Sequence, residues 1–79
     1  MSHTPHELVE EFPAAAEVIQ KLRQNDAHFA RLADEYHHVN RQIHRAETLV
    51  EPIDEVAETQ LRKQRAHLKD QIAALLANA

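Results

Sequence analysis

Histidine is the residue type with the greatest capacity for chemistry in this sequence, because an imidazole can bind metal ions and exchange protons. The chain has 7 histidines among 79 residues. His37, His38 and His44 follow Asp34 in one segment, where residues 34 and 38 are one helical turn apart. A carboxylate and an imidazole at that spacing can bind zinc. A metal-responsive or pH-responsive module is therefore one hypothesis for this chain.

Four features of the same segment weaken the metal hypothesis. Arg41 lies in the middle of the histidine face, where its positive charge would repel a cation. His37 and His38 point about 100° apart on a helix, and the segment has no HExxH pattern. The apolar residues of the segment lie on its other side, so the face around Arg41 should point to solvent. We expect a solvated polar surface, with no metal and no cofactor.

Catalytic signatures are also missing from the sequence. The chain has no cysteine and no glycine, which excludes thiolate chemistry, phosphate loops and dinucleotide fingerprints. It has no GxSxG elbow. The acidic pairs Glu10-Glu11 and Asp34-Glu35 should lie on exposed helix faces, where they favour solubility. We expect no catalytic residue and no enzymatic activity.

Composition predicts an all-α protein with a single domain over residues 1–79. The absence of glycine disfavours tight hairpins, and Ala, Leu, Glu, Gln and Arg are strong helix formers. No stretch approaches the roughly 18 consecutive apolar residues of a membrane span, and the first residues do not resemble a signal peptide. We therefore expect a soluble, cytoplasmic protein that has no contact with a membrane.

Three prolines divide the chain. Thr4 should cap a short helix over residues 5–11, with Pro5 at its first position. Pro13 should bend the chain before a second short helix over 14–23. These elements make up residues 1–24, followed by a long helix over 25–51, capped by Asn25 or Asp26, and a returning helix over 54–77. Residues 1–12 have the least capacity for packing and should be frayed.

The strongest periodicity lies in the long helix. Its apolar residues recur at alternating spacings of 3 and 4, the heptad pattern of a coiled coil: Phe29, Leu32, Tyr36, Val39, Ile43, Ala46 and Val50. A helix of about 25 residues would be roughly 37 Å long. A rod of that length needs a partner surface, and the returning helix can supply it.

The returning helix has a matching apolar pattern at Leu61, Leu68, Ile72 and Leu75. Pro52 should end the long helix and Asp54 should cap the next one. An antiparallel hairpin centred on Pro52 places four apolar pairs opposite each other: Ile43 and Leu61, Tyr36 and Leu68, Leu32 and Ile72, and Phe29 and Leu75. The sequence thus predicts a long, coiled-coil-like antiparallel hairpin with one or two short N-terminal helices.

Arg65 is the exception in this apolar pattern, because it falls in the seam opposite Val39. Its methylene groups can lie along the apolar surface while the guanidinium reaches water. Alternatively, Arg65 sets the register of the helices or contacts a second protomer.

Several segments resemble a known family: Phe29-x-x-Leu32-x-x-x-Tyr36, Ile43-x-x-x-Glu47, the Glu51-Pro52 turn, and Leu61-Arg62-Lys63-Gln64-Arg65 leading to Leu68-Lys69-Asp70-Gln71-Ile72. Together they resemble the YdcH family of small bacterial proteins of unknown function. The resemblance implies a helical hairpin and supplies no reaction, ligand or catalytic residue. Ala66-His67 departs from the family pattern, where a more apolar residue is expected before Leu68.

The predicted function is a non-enzymatic protein–protein interaction or small structural module. A two-helix core is thin, so further apolar residues could cover the open end of the hairpin or bind a second protomer or another protein: Leu8, Phe12, Val18, Ile19 and Leu22. The outer edge of the seam could do the same through Leu49, Ile53, Val56 and Leu76. We expect self-association as a dimer or a higher even-numbered assembly.

A second alternative is an accessory protein of nucleic acid or ribosomes. It would bind through a short basic stripe on the returning helix: Arg62, Lys63, Arg65 and Lys69. The net charge of −4 disfavours binding to nucleic acid, because such binding usually needs a basic surface.

Overall fold

Two long helices lie against each other as a hairpin, and a shorter N-terminal segment packs on one side of them. A computed structural model describes residues 4–48 and 53–79 of the chain. The helices are α1 (Leu8–Glu11), α2 (Ala16–Asn25), α3 (Ala27–Glu47) and α4 (Glu55–Ala77), with a 3₁₀ turn at Pro13–Ala15 before α2. The described residues contain no strand. The all-α hairpin with short N-terminal helices is therefore confirmed, whereas Leu49, Val50, Glu51 and Pro52 lie outside the described residues.

Aspartate caps explain where both long helices begin. The Asp26 carboxylate accepts hydrogen bonds from the backbone N–H groups of His28 at 2.9 Å and Phe29 at 3.1 Å. The Asp54 carboxylate accepts one from the N–H of Ala57 at 2.8 Å. Each cap satisfies a backbone donor that has no partner within the first helical turn. The predicted Asp54 cap is confirmed, and of the two predicted alternatives for the first long helix, Asn25 and Asp26, Asp26 is the cap.

The start of the chain differs from the prediction. The helix begins at Leu8 rather than at residue 5, and Glu7, not Thr4, occupies its N-cap position. The backbone of His6 has φ 64°, which is in the left-handed region and cannot continue a right-handed helix. Phe12, at φ −130° and ψ 63°, makes the predicted bend before Pro13. The predicted Thr4 cap is therefore wrong, and the predicted bend is confirmed.

The core follows the apolar pattern of the two long helices. All five seam residues predicted between 29 and 43 are buried, as are two from the returning helix: Phe29, Leu32, Tyr36, Val39, Ile43, Leu68 and Ile72. Leu61 and Leu75 are half-buried against the same cluster. Ala66 and His67, which depart from the family pattern, are both exposed. The structure therefore needs no apolar residue at those two positions.

The N-terminal segment (residues 4–25) completes the core. Leu8 is 2% exposed and Ile19 is 4% exposed, and both belong to the cluster formed by α3 and α4. Phe12 and Leu22 pack against it, and Val18 is half-buried. This segment covers a side of α3 that α4 leaves bare. Leu8, which lies in the segment expected to fray, is buried in the core, and Leu8 and Ile19 are therefore not available to a partner in this fold.

Candidate functional site

A buried polar network crosses the hairpin at Asn40. Asn40 is 1% exposed, and its Nδ2 donates to the carbonyl oxygen of Pro5 at 2.8 Å. Its Oδ1 accepts from Nη1 of Arg65 at 2.9 Å. Of the interpretations of Arg65, this contact favours a register-setting polar residue over a guanidinium that only reaches water. The sequence pattern did not single out Asn40, although Arg65 in the apolar seam indicated that a polar partner lay opposite.

Tyr36 belongs to the same part of the core. Its hydroxyl donates to the carbonyl oxygen of His6 at 2.5 Å, and its ring is fully buried. Burial raises the pKa of Tyr36 to about 12, and the negative charge of Glu11 contributes in the same direction. A phenol with so high a pKa stays protonated and keeps donating its hydrogen bond. The Tyr36 hydroxyl therefore holds the N-terminal segment against α3.

Lys69 attaches the N-terminal segment to α4. Its Nζ donates to Oε1 of Glu11 at 3.2 Å and lies 5.8 Å from the centre of the Phe12 ring. His6 Nδ1 lies 3.3 Å from the same Glu11 oxygen. Burial by itself raises the pKa of Glu11, but the hydrogen bonds and positive charges of Lys69 and His6 outweigh it and lower the pKa below its usual value.

Three of the four cations in the basic stripe of α4 are held by side chains of the same protein. Arg62 forms ion pairs with Glu47 at 3.1 Å and Glu58 at 2.6 Å. Arg65 and Lys69 are engaged by Asn40 and Glu11. Lys63 remains as an exposed cation on the stripe. Since nucleic-acid affinity depends on cations that are free to reach phosphates, this geometry removes most of the support for the nucleic-acid hypothesis.

The histidine face forms a groove rather than an open surface. Arg23 of α2 and five side chains of α3 line a groove of about 530 Å³: Asp34, His37, His38, Arg41 and Arg45. Arg23 donates to Oδ1 of Asp34 at 3.2 Å and contacts Nε2 of His37 at 3.3 Å. The other ring nitrogen of His37 lies 2.5 Å from Glu7.

The prediction of a fully solvated histidine face is wrong at two positions. His37 and His44 are half-buried, whereas Asp34, His38 and Arg41 are exposed. The reason for His37 is that the N-terminal segment packs beside α3 and supplies Glu7 and Arg23 as neighbours. No cluster of three His, Cys, Asp or Glu side chains suited to a metal ion occurs among residues 4–48 and 53–79.

Exposed apolar residues mark a second surface. Among the described residues, the large apolar side chains with the greatest exposure are Val56 at 72%, Val9 at 51% and Ile53 at 40%. Ile53 and Val56 are three residues apart at the closed end of the hairpin, where α4 begins. Val56 also borders a shallow groove of about 310 Å³ with Glu55, Thr59 and Gln60. Leu76, in contrast, packs against the core.

No helix in the described part of the chain has the length and apolar character to cross a membrane. Neither the search of curated proteins nor that of solved structures found a match. A family model described as "Protein of unknown function (DUF465)" matches residues 29–76, which include most of α3 and nearly all of α4. This is the YdcH-type family that the sequence resembles. The match covers more than half of the 79 residues, and the chain belongs to this family.

Proposed function

We propose that this protein is a non-enzymatic interaction module whose docking surface is the closed end of the hairpin. The observation that carries the proposal is the exposure of Val56, at 72%, beside Ile53, at 40%. Isolated apolar side chains on a surface are common, but two neighbours at one end of a small helical hairpin form a patch that a partner can cover.

Among the described residues, the N-terminal segment is attached away from this end of the hairpin. Its hydrogen bonds and ion pairs reach α3 at residues 34, 36, 37 and 40, and α4 at residue 69. The closed end, near Glu47 and Glu55, lies beyond these contacts. The apolar residues that the N-terminal segment brings, Leu8 and Ile19, are used inside the chain. The patch of Ile53 and Val56 is thus the better candidate for a docking surface.

A second copy of the chain is the partner that we propose. A two-fold dimer places the same patch on both subunits, so Val56 of one copy can pack near Val56 or Ile53 of the other. The patch is small, so the dimer should be weak, with the limited buried area typical of transient contacts. Nothing in this arrangement needs a catalytic residue or a cofactor.

Sedimentation equilibrium over a range of micromolar concentrations tests the proposal. We expect the average mass of the native protein to rise with concentration. The average mass of Val56→Lys should stay at the value of one chain at every concentration. Val9→Lys is the matched control, because Val9 is also exposed but lies on the N-terminal segment. A native protein that stays monomeric, or equal loss of association in the two variants, would contradict docking through the closed end.

A further inference from the structure

We propose that two copies of the chain form a dimer by exchanging their N-terminal segments (residues 4–25), so that each segment packs on the hairpin of the other copy. The observation that carries the proposal is the hinge between α2 and α3. Asp26 alone separates the two helices, and its backbone is extended, at φ −129° and ψ 106°. Residues 14–51 contain neither glycine nor proline, the two residue types that usually interrupt a helix. If Asp26 became helical, α2 and α3 would form one continuous helix and the N-terminal segment would leave its own hairpin.

The hydrogen bonds at the hinge are close to those of an uninterrupted helix. The N–H of Asp26 donates to the carbonyl oxygen of Leu22 at 2.8 Å, and its carbonyl oxygen accepts from the N–H of Ala30 at 3.0 Å. Both bonds have the four-residue spacing of an α-helix. In a continuous helix, the N–H groups of His28 and Phe29, now bound by the Asp26 carboxylate, would donate to carbonyl groups at the end of α2. Straightening the hinge therefore leaves these backbone donors satisfied.

The surface beneath the N-terminal segment fits the same segment of a second copy. Leu8 and Ile19 are 2% and 4% exposed, so a chain opened at the hinge would expose both side chains to water. The Glu11 carboxylate, which lies 3.2 Å from Lys69 Nζ, would lose its partner as well. The same contacts form whichever chain supplies the segment, so reciprocal exchange restores them in both copies. A second copy is therefore the partner that an opened chain fits.

Exchange of the segments is separate from docking through the closed end of the hairpin, because it does not involve Ile53 or Val56. It requires Leu8 and Ile19 to leave the core, so folded monomers should exchange slowly. The exchanged dimer should form when chains fold together at high concentration. Val56→Lys, which removes the closed-end patch, should therefore still form the exchanged dimer after refolding.

Carbodiimide cross-linking identifies the chain that supplies the segment. The reagent removes water from a carboxylate and a neighbouring amine and leaves an amide between them, and Glu11 and Lys69 are such a pair. Unlabelled and isotope-labelled chains of full-length Val56→Lys are mixed in urea, refolded at high micromolar concentration and separated by size. We expect about half of the Glu11–Lys69 cross-links in the dimer to join a labelled to an unlabelled peptide, because about half of random pairs contain both kinds of chain. Cross-links in the monomer should join peptides of one kind.

Substitutions at the hinge should change the yield of this dimer in opposite directions. Asp26→Ala removes the cap of α3 and favours the continuous helix, so it should raise the ratio of dimer to monomer about tenfold. Asp54→Ala is the matched control, because it removes the corresponding cap of α4 and should leave the ratio unchanged. Ala27→Pro should abolish the dimer, because proline is tolerated at the first position of α3 and keeps the preceding Asp26 extended.

Three results would overturn the exchange: no dimer after Asp26→Ala is refolded at high concentration, a dimer that persists in Ala27→Pro, or dimer cross-links that all join peptides of one kind. Circular dichroism of each variant confirms that the helices are retained. All hinge variants are made in the Val56→Lys background, so failure of the exchange leaves docking through the closed end standing. Likewise, a native protein that is monomeric in sedimentation equilibrium leaves the exchange standing.

Discussion

Nη1 of Arg65 on α4 lies 2.9 Å from Oδ1 of Asn40 on α3, and Asn40 is 1% exposed. The same amide group donates to the carbonyl oxygen of Pro5. One buried side chain thus joins both long helices to the N-terminal segment. Because a shift of either long helix would break this contact, the Asn40–Arg65 pair fixes the register of the hairpin more narrowly than apolar packing alone.

Asn40→Ala should lower the free energy of unfolding by about 1–3 kcal/mol, because it leaves the Pro5 carbonyl and the Arg65 guanidinium without their partner. Urea denaturation measures the loss. Glu35→Ala, an exposed position on the same helix, is the control and should change the free energy by less than about 0.5 kcal/mol.

The coupling between the two side chains can be measured separately. In a double-mutant cycle, Asn40→Ala combined with Arg65→Ala should cost less than the sum of the two single changes, because the second change removes a group already left without its partner. Strictly additive costs would show that the 2.9 Å contact does not couple the two helices.

The sequence predicts the hairpin well because the same apolar spacing recurs along each long helix. Six positions at heptad spacing, from Phe29 to Ala46, specify one face of α3, and an acidic cap marks the start of each long helix. The predicted register placed Arg65 opposite Val39, one residue from its partner Asn40. Such agreement follows from helix geometry, in which spacing along the chain determines which side chains share a face.

The N-terminal segment could not be predicted in the same way. The position of Leu8 depends on contacts with residues about 30 positions later, such as the hydrogen bond between Tyr36 and the His6 carbonyl. The left-handed backbone at His6 could not be predicted from the residue type, because glycine or asparagine usually occupies such a position. The groove beside His37 was missed for the same reason, since Arg23 reaches it from α2.

Alkaline pH should unfold the protein through Tyr36. Its pKa is raised from 10.0 to about 12 in the folded chain, so the neutral phenol is favoured by folding. The resulting stability is fully present below about pH 10 and is lost as the pH rises through about 12. Tyr36 is the only tyrosine and the chain has no tryptophan, so the ultraviolet absorbance of the phenolate reports this one group.

Tyr36→Phe provides the control for the alkaline transition. It keeps the buried ring but removes both the titrating hydroxyl and its hydrogen bond to His6. We expect the variant to be less stable by about 1–2 kcal/mol at neutral pH and to lose the pH dependence between about 10 and 12. A tyrosine that ionises at its ordinary pKa, with no loss of helicity above it, would contradict the buried hydrogen bond.

Acid pH should weaken the attachment of the N-terminal segment through Glu11. The pKa of this carboxyl is lowered from 4.5 by Lys69 and His6, which outweigh the opposite effect of burial. A lowered pKa in the folded state contributes stability that is present above pH 4.5 and is lost as the pH falls through the folded value. Thermal unfolding of Glu11→Gln should therefore depend less on pH in this window than that of the native protein. Glu17→Gln, at an exposed position on α2, should retain the native dependence.

Leu8 and Val9 offer a direct test of whether the N-terminal segment is docked. They are adjacent in α1, but Leu8 is 2% exposed within the core and Val9 is 51% exposed. Leu8→Ala should therefore lower the free energy of unfolding by about 2–4 kcal/mol, because it removes buried methyl groups and leaves a cavity. Val9→Ala should change it by less than about 0.5 kcal/mol. Equal, small effects of the two substitutions in urea denaturation would show that the segment is frayed in solution. A large effect confined to Leu8 would show that the hairpin depends on the N-terminal segment to complete its core.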